Sequence, residues 1–164
     1  MNITARAASC AMAGACATYN MDAVGEAIYQ QQSQELKDRE SAVQPKSALA
    51  VLAVRLLKTL GREPSEGAVS RLSTAIHWTF GTSNGVLYGM LDRRYPIISA
   101  TLGAPVALAL FAFDEFGLTA LGLAAPPDRF PAGTHFRSFA NHIAYGAVLV
   151  VTYRGLTHLR SGAV

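Results

Sequence analysis

Charge is sparse in this sequence. Charged residues make up 15% of its 164 positions, against roughly a quarter in a typical soluble domain. The net charge is only +3, spread thinly, and no basic stripe interleaves with aromatics. Nucleic acid is therefore not expected as a partner. Cysteine is scarce too. Cys10 and Cys16 stand six residues apart on what reads as one helix, so they point in different directions, and neither a disulfide nor a metal site follows. Also missing are G-x-S-x-G, H-E-x-x-H and the P-loop pattern, which leaves no catalytic signature and points away from an enzyme.

The run AASCAMAGACA after Arg6 has the basic-then-apolar order of a secretory signal. It lacks the Leu-rich middle of a cleaved one, and its apolar character continues past the candidate A-x-A site. A retained first membrane helix is the reading it favours.

What is abundant is small and apolar. Hydrophobic residues form 51% of the chain, with Ala and Gly as prominent as Leu. Four segments, 5–29, 68–91, 97–123 and 134–153, reach the ~20 residues a helical span needs. Pro64, Pro96 and Pro131 stand just ahead of the last three, as suits helix starts. Asp92-Arg93-Arg94-Tyr95 makes a tight connection, and AAPPDRFPAG (124–133) a proline-rich loop. The expectation is one all-α domain, an integral membrane four-helix bundle with the lipid bilayer as its surroundings. Between the first two spans, QQQSQELKDRESAVQPK reads as polar and mobile. An amphipathic helix at about 46–60 then sets Lys46, Arg55, Lys58 and Arg62 beside an Ala/Leu/Val face, which suits the membrane interface. A linker helix packed on the bundle is the alternative. Arg6, Arg93, Arg94, Arg154 and Arg160 fall on one side, which places both termini in the cytoplasm. A soluble helical bundle stays open as another class, because the first span is weakly hydrophobic.

One frame occurs twice. STAIHWTFG (73–81) and SFANHIAYG (138–146) align without a gap. Ser73 meets Ser138, Ala75 meets Ala140, His77 meets His142, Phe80 meets Tyr145 and Gly81 meets Gly146. Further on, Val86 meets Val151 and Tyr88 meets Tyr153. The first and third segments share Asp-x-x-Gly, at Asp22–Gly25 and Asp114–Gly117. Together these predict a duplicated helix hairpin, its pseudo-twofold axis along the membrane normal.

Helical spacing places the shared residues on one face. Ser73, His77, Gly81, Gly85 and Gly89 recur every fourth position, a stripe that lets another helix backbone come close. Ser138, His142 and Gly146 form the corresponding stripe, and Cys10, Gly14, Thr18 and Asp22 line up in the first segment. A rise of about 1.5 Å per residue brings Asp22 level with His77, and Asp114 or Glu115 level with His142. Two buried carboxylate–histidine pairs are predicted, with Asn84 and Asn141 joining their network. His135 and His158 read as solvated or interfacial.

Ionisable groups inside a bilayer are costly and face protein or water. The pairs could simply clamp helices together. They could also handle protons, since histidine changes charge near neutrality. No cofactor is expected; haem held by His77 and His142 is a further alternative.

A-x-H-x-x-F-G-x-x-x-G-x-x-Y-G (75–89), FDEFGLTALGL (113–123) and PPDRFPAGTHFRSFANHIAYG (126–146) together resemble the YagU-like family of the bacterial inner membrane, a domain of unknown function. The resemblance covers most of 65–153. It implies a multi-span inner-membrane protein and carries over no substrate or catalytic residue. A second copy of the chain or other membrane subunits are the partners such a protein would have.

Overall fold

The computed structural model describes residues 3–92 and 94–161, with side chains described for 4–92 and 94–158. Arg93 and the side chain of Arg160, two of the arginines expected on the cytoplasmic side, lie outside these. Among the described residues all regular structure is helical. Four long rods or composite rods are α1 (Ile3–Gln31), α4 (Glu66–Leu91), the α6 (Ala104–Ala112) path and α8 (Ala132–Ser161). The α6 path continues through a π-helical turn, Phe113–Gly117, into the short α7, Leu118–Ala120. Two further helices, α2 (Gln34–Val43) and α3 (Ala48–Thr59), join α1 to α4, and α5 (Ile97–Ala100) follows the turn after α4.

Serines start the middle helices. The hydroxyls of Ser33, Ser47 and Ser65 accept from the amides of Leu36, Ala50 and Ala68, at 3.3, 3.2 and 3.4 Å. Each satisfies an amide that a helix start leaves without a partner. The stretch expected to be mobile thus contains α2, a correction to the sequence reading. Ser33 caps it, Glu35 lies in its first turn, and Gln34 donates to Asp38 at 2.8 Å.

The segment expected to form one helix over 97–123 is interrupted. After α5 the chain turns through Leu102 (φ 50°) and Gly103 (φ 78°), and Pro105 opens α6. Left-handed backbone and a residue without an amide proton together end a helix and begin another.

Packing follows the small-residue stripes. α1 lies along both α4 and α8, α6 packs on α8, and α3 covers α4. The α1–α4 crossing is antiparallel and very close. A Cβ on Gly85 would fall 2.5 Å from the Cys10 carbonyl and 2.6 Å from the Gly14 Cα. On the other side, a Cβ on Gly146 would fall 2.8 Å from the Gly103 carbonyl. Only hydrogen fits at such positions. Tyrosines fill what remains. Tyr145 donates to the Gly81 carbonyl at 2.6 Å, and Tyr88 meets the Ser99 hydroxyl at 2.7 Å.

The interior mixes large side chains, Leu57, Tyr88, Ile98, Leu123, Tyr145, Leu149, Val150 and Tyr153, with small ones, Ser9, Cys10, Ala13, Ala17 and Ala107 among them. Many other large apolar side chains lie outside. Leu87, Met90, Phe116, Phe136 and Val151 are all exposed, Met90 at 68%. Among the described residues no helix is long and apolar enough to cross a membrane.

Candidate functional site

Asp22, Glu40, His77, Asp114, Glu115, His135 and Arg137 gather at one end of the bundle, where α1 finishes and α4 and α8 begin, while Arg6 and Asp92 make contacts at the other. α3 packs on α4 here, and α2 reaches the start of α8 through Glu40 and Leu36. Most of the polar contacts here join two different elements.

Asp22 on α1 and His77 on α4 are in contact, Nε2 to Oδ1 at 2.8 Å. Both are partly open, with side chains 47% and 30% exposed. The pair predicted at this depth is therefore present but not buried, because α3 leaves an open recess beside it, lined by Asp22, Ser47, His77 and Trp78.

The second predicted pair is not made. His142 is buried and points inward, but its Nδ1 donates to the Ser138 carbonyl of its own helix at 2.7 Å. The Ser138 hydroxyl donates to Asp114 at 2.7 Å, so Asp114 reaches α8 one turn before His142. Glu115 bonds His135 instead, Oε2 to Nδ1 at 2.6 Å. The cause is the π turn. Its hydrogen bonds run from residue i+5, as Leu118 to Phe113 does, so carboxylates carried on it leave the angles an α-helix would give them.

His135, expected at the periphery, is part-buried and engaged at both nitrogens. Nε2 donates to the Pro127 carbonyl at 3.0 Å while Nδ1 faces Glu115. A carbonyl can only accept, so Nε2 carries a proton. The bond at Nδ1 then needs a second proton, on the ring or on the carboxyl group. Sequence spacing held a signal for this residue, since His135, Ser138 and His142 follow i, i+3, i+7 on one helix face.

Arg137 and Glu40 were not anticipated either. Arg137 pairs with Glu40, donates to Gln32 at 2.6 Å and lies over the Tyr29 ring at 5.1 Å, while Thr134 donates to Glu40 at 2.9 Å. A charged residue inside a nominal span was the signal available.

The asparagines do not join the pairs. Asn84 donates to the Phe80 carbonyl of its own helix at 2.9 Å. Asn141 abuts Gly25 of α1, and its buried Oδ1 accepts no hydrogen bond. Gly81, Gly85, Gly89 and Gly146 are all buried at helix crossings. Cys10 is buried, Cys16 is exposed, and both are free. Among the described residues no group of three or more His, Cys, Asp or Glu side chains is arranged to hold a metal.

Two cavities open among these groups. One of about 340 Å³ is lined by Gln44, Glu115, Thr134, His135 and Arg137 among others. The other, of about 240 Å³, is mostly apolar and lies against Leu52, Ile76, His77, Phe80 and Phe113. No family model matches the chain, and no curated protein and no solved structure matches it.

Proposed function

We propose that this chain is an integral membrane protein of the bacterial inner membrane without enzymatic activity. In this reading it serves as a subunit or assembly partner, and its polar pairs hold the helices together. The observation that carries the reading is the distribution of size. Small residues such as Gly14, Gly85, Ala17 and Ala107 meet inside, while Leu87, Met90, Phe116 and Val151 face outward. Water offers no reason to arrange a bundle this way, whereas lipid does, because helices in a bilayer associate through close backbone contact. The most apolar stretch, 97–123, is divided among α5, α6, the π turn and α7, so its length belongs to no one helix.

Two features support the duplicated hairpin and, with it, the likeness to the YagU-like family. Tyr88 and Tyr153 hold the same place in the repeated frame, and their rings meet edge-on at 5.3 Å. Equivalent residues touch each other only near a symmetry axis. The α1–α4 and α6–α8 crossings are likewise both built on facing glycines. The repeat is not a full twofold, since α1 lies along α8 while α6 makes no comparably extensive contact with α4.

Alkaline carbonate extraction of membranes from expressing cells tests the reading. The protein is expected to stay in the pellet until detergent is added. Release into the carbonate supernatant would end it.

Proton handling is the second reading, and one observation favours it. Asp22, His77, Asp114, His142, Glu115 and His135 line cavities that share walls at His77, Asp114 and His142. Liposomes containing the purified protein should then carry a proton flux that His77→Gln abolishes while the fold is kept. Haem is less well served, because the Nε2 of His77 is taken by Asp22.

A further inference from the structure

The two cavities are adjoining chambers. Met21, Asp114, Leu118 and His142 line both. At about 340 and 240 Å³, they reach together the size of ordinary small-molecule sites. One chamber carries the charged and polar side chains and the other is walled by Leu52, Ile76, Phe80, Phe113 and Tyr145. A ligand filling both must therefore be amphiphilic.

Charge decides which head group fits. In the polar chamber Arg137 faces Glu40, and His135 faces Glu115. Asp114 differs: its bond is to the Ser138 hydroxyl, and no cationic side chain of the described residues pairs with it. Asn141, on the same chamber wall, has a buried Oδ1 without a donor. A carboxylate partly removed from water and lacking a counter-charge is unfavourable until a cation arrives. Asp114 occupies the boundary of the two chambers, so the cation belongs where head and tail join. The π turn that carries Asp114 and Phe113 is of a kind found frequently at functional sites.

We infer that the paired chambers bind an organic ammonium, its charged nitrogen on Asp114 and its hydrocarbon tail between α3, α4 and the π turn. This goes beyond a structural role and does not depend on where the bundle resides.

Calorimetric titration of the purified full chain, in the same nonionic detergent or buffer throughout, tests it with three probes of one shape. Phenylbutylamine carries the ammonium, phenylbutanol is neutral and phenylbutyrate is anionic. Saturable binding of the amine is expected, at least about tenfold tighter than either control, a difference of about 1.4 kcal/mol. Asp114→Asn should remove that preference. Leu52→Trp, which fills the apolar chamber and leaves Asp114 in place, should weaken the amine by a similar factor. Circular dichroism establishes that each variant folds. If Asp114→Asn does not, Leu52→Trp and the probe comparison decide. Absence of amine binding, equal binding of the three probes, or amine binding untouched in folded variants would overturn the inference.

Discussion

Glu40 of α2 and Arg137 of α8 meet through two hydrogen bonds, Nη1 to Oε2 at 3.0 Å and Nη2 to Oε1 at 2.5 Å. The two residues are 97 positions apart and mostly covered, so a short polar helix is fastened to a long helix of the bundle. A fork matched to a carboxylate is something Lys cannot reproduce.

Arg137→Lys should therefore destabilise the protein by about 1.5–3 kcal/mol, the range for hydrogen bonds to charged groups. Denaturant melts of the two proteins measure it. Hydrogen exchange should show α2 opening first, because α2 buries no residue of its own and depends on this tether.

The Asp22–His77 pair should contribute far less. With both side chains partly open, solvent screens the charges, and the coupling expected from a double-mutant cycle of Asp22→Asn and His77→Gln is at most about 1 kcal/mol. A coupling several times larger would mean that the recess beside the pair is dry.

Two glycines of similar helical setting should respond with opposite sign. At Gly85 a methyl group meets the α1 backbone, which cannot rotate aside, so Gly85→Ala should cost about 1–3 kcal/mol or more. At Gly155 a Cβ meets nothing within 4 Å, so Gly155→Ala should gain up to about 1 kcal/mol from helix propensity. Thermal melts in one buffer compare them directly.

His135 should show both ring nitrogens protonated, or one protonated with the second sharing a proton with Glu115. Imidazole nitrogen NMR reads this, and Glu115→Gln should change the Nδ1 signal while leaving the Nε2 bond to Pro127 in place. Unchanged signals in the variant would show that the two side chains do not share a proton.

The first half of the site was legible because nothing interrupts it. α1 and α4 are regular helices, so counting along them brought Asp22 level with His77, and the glycine stripes fell where the backbones cross. The second half was not, for two local reasons. Gly103 and Pro105 divide the third segment, and Phe113–Gly117 widens into a π turn whose carboxylates no longer follow helical counting. A wide turn has no strong sequence mark, and here only Gly117 hints at it: a Cβ there would strike the Phe113 ring at 2.5 Å. α2 was missed because a polar, charged sequence reads as a loop, although Ser33 with Glu35 is an ordinary helix start.

Gly117→Ala should accordingly displace Phe113 from its stack on Phe80, where the ring centroids are 5.7 Å apart. Destabilisation of about 1–3 kcal/mol is expected, together with changed near-ultraviolet circular dichroism.

The π turn also sets the phase of everything that follows it. An α-helix advances about 100° per residue, so a chain with one residue fewer between Phe113 and Gly117 would turn its downstream part by that angle. Thr119, whose hydroxyl donates to the Ala125 carbonyl at 3.0 Å, would face elsewhere. The loop beyond would then no longer bring the Pro127 carbonyl to His135. One surplus residue thus acts as a clutch between an apolar helix and a polar loop, keeping the two out of step by the amount their meeting with α8 requires.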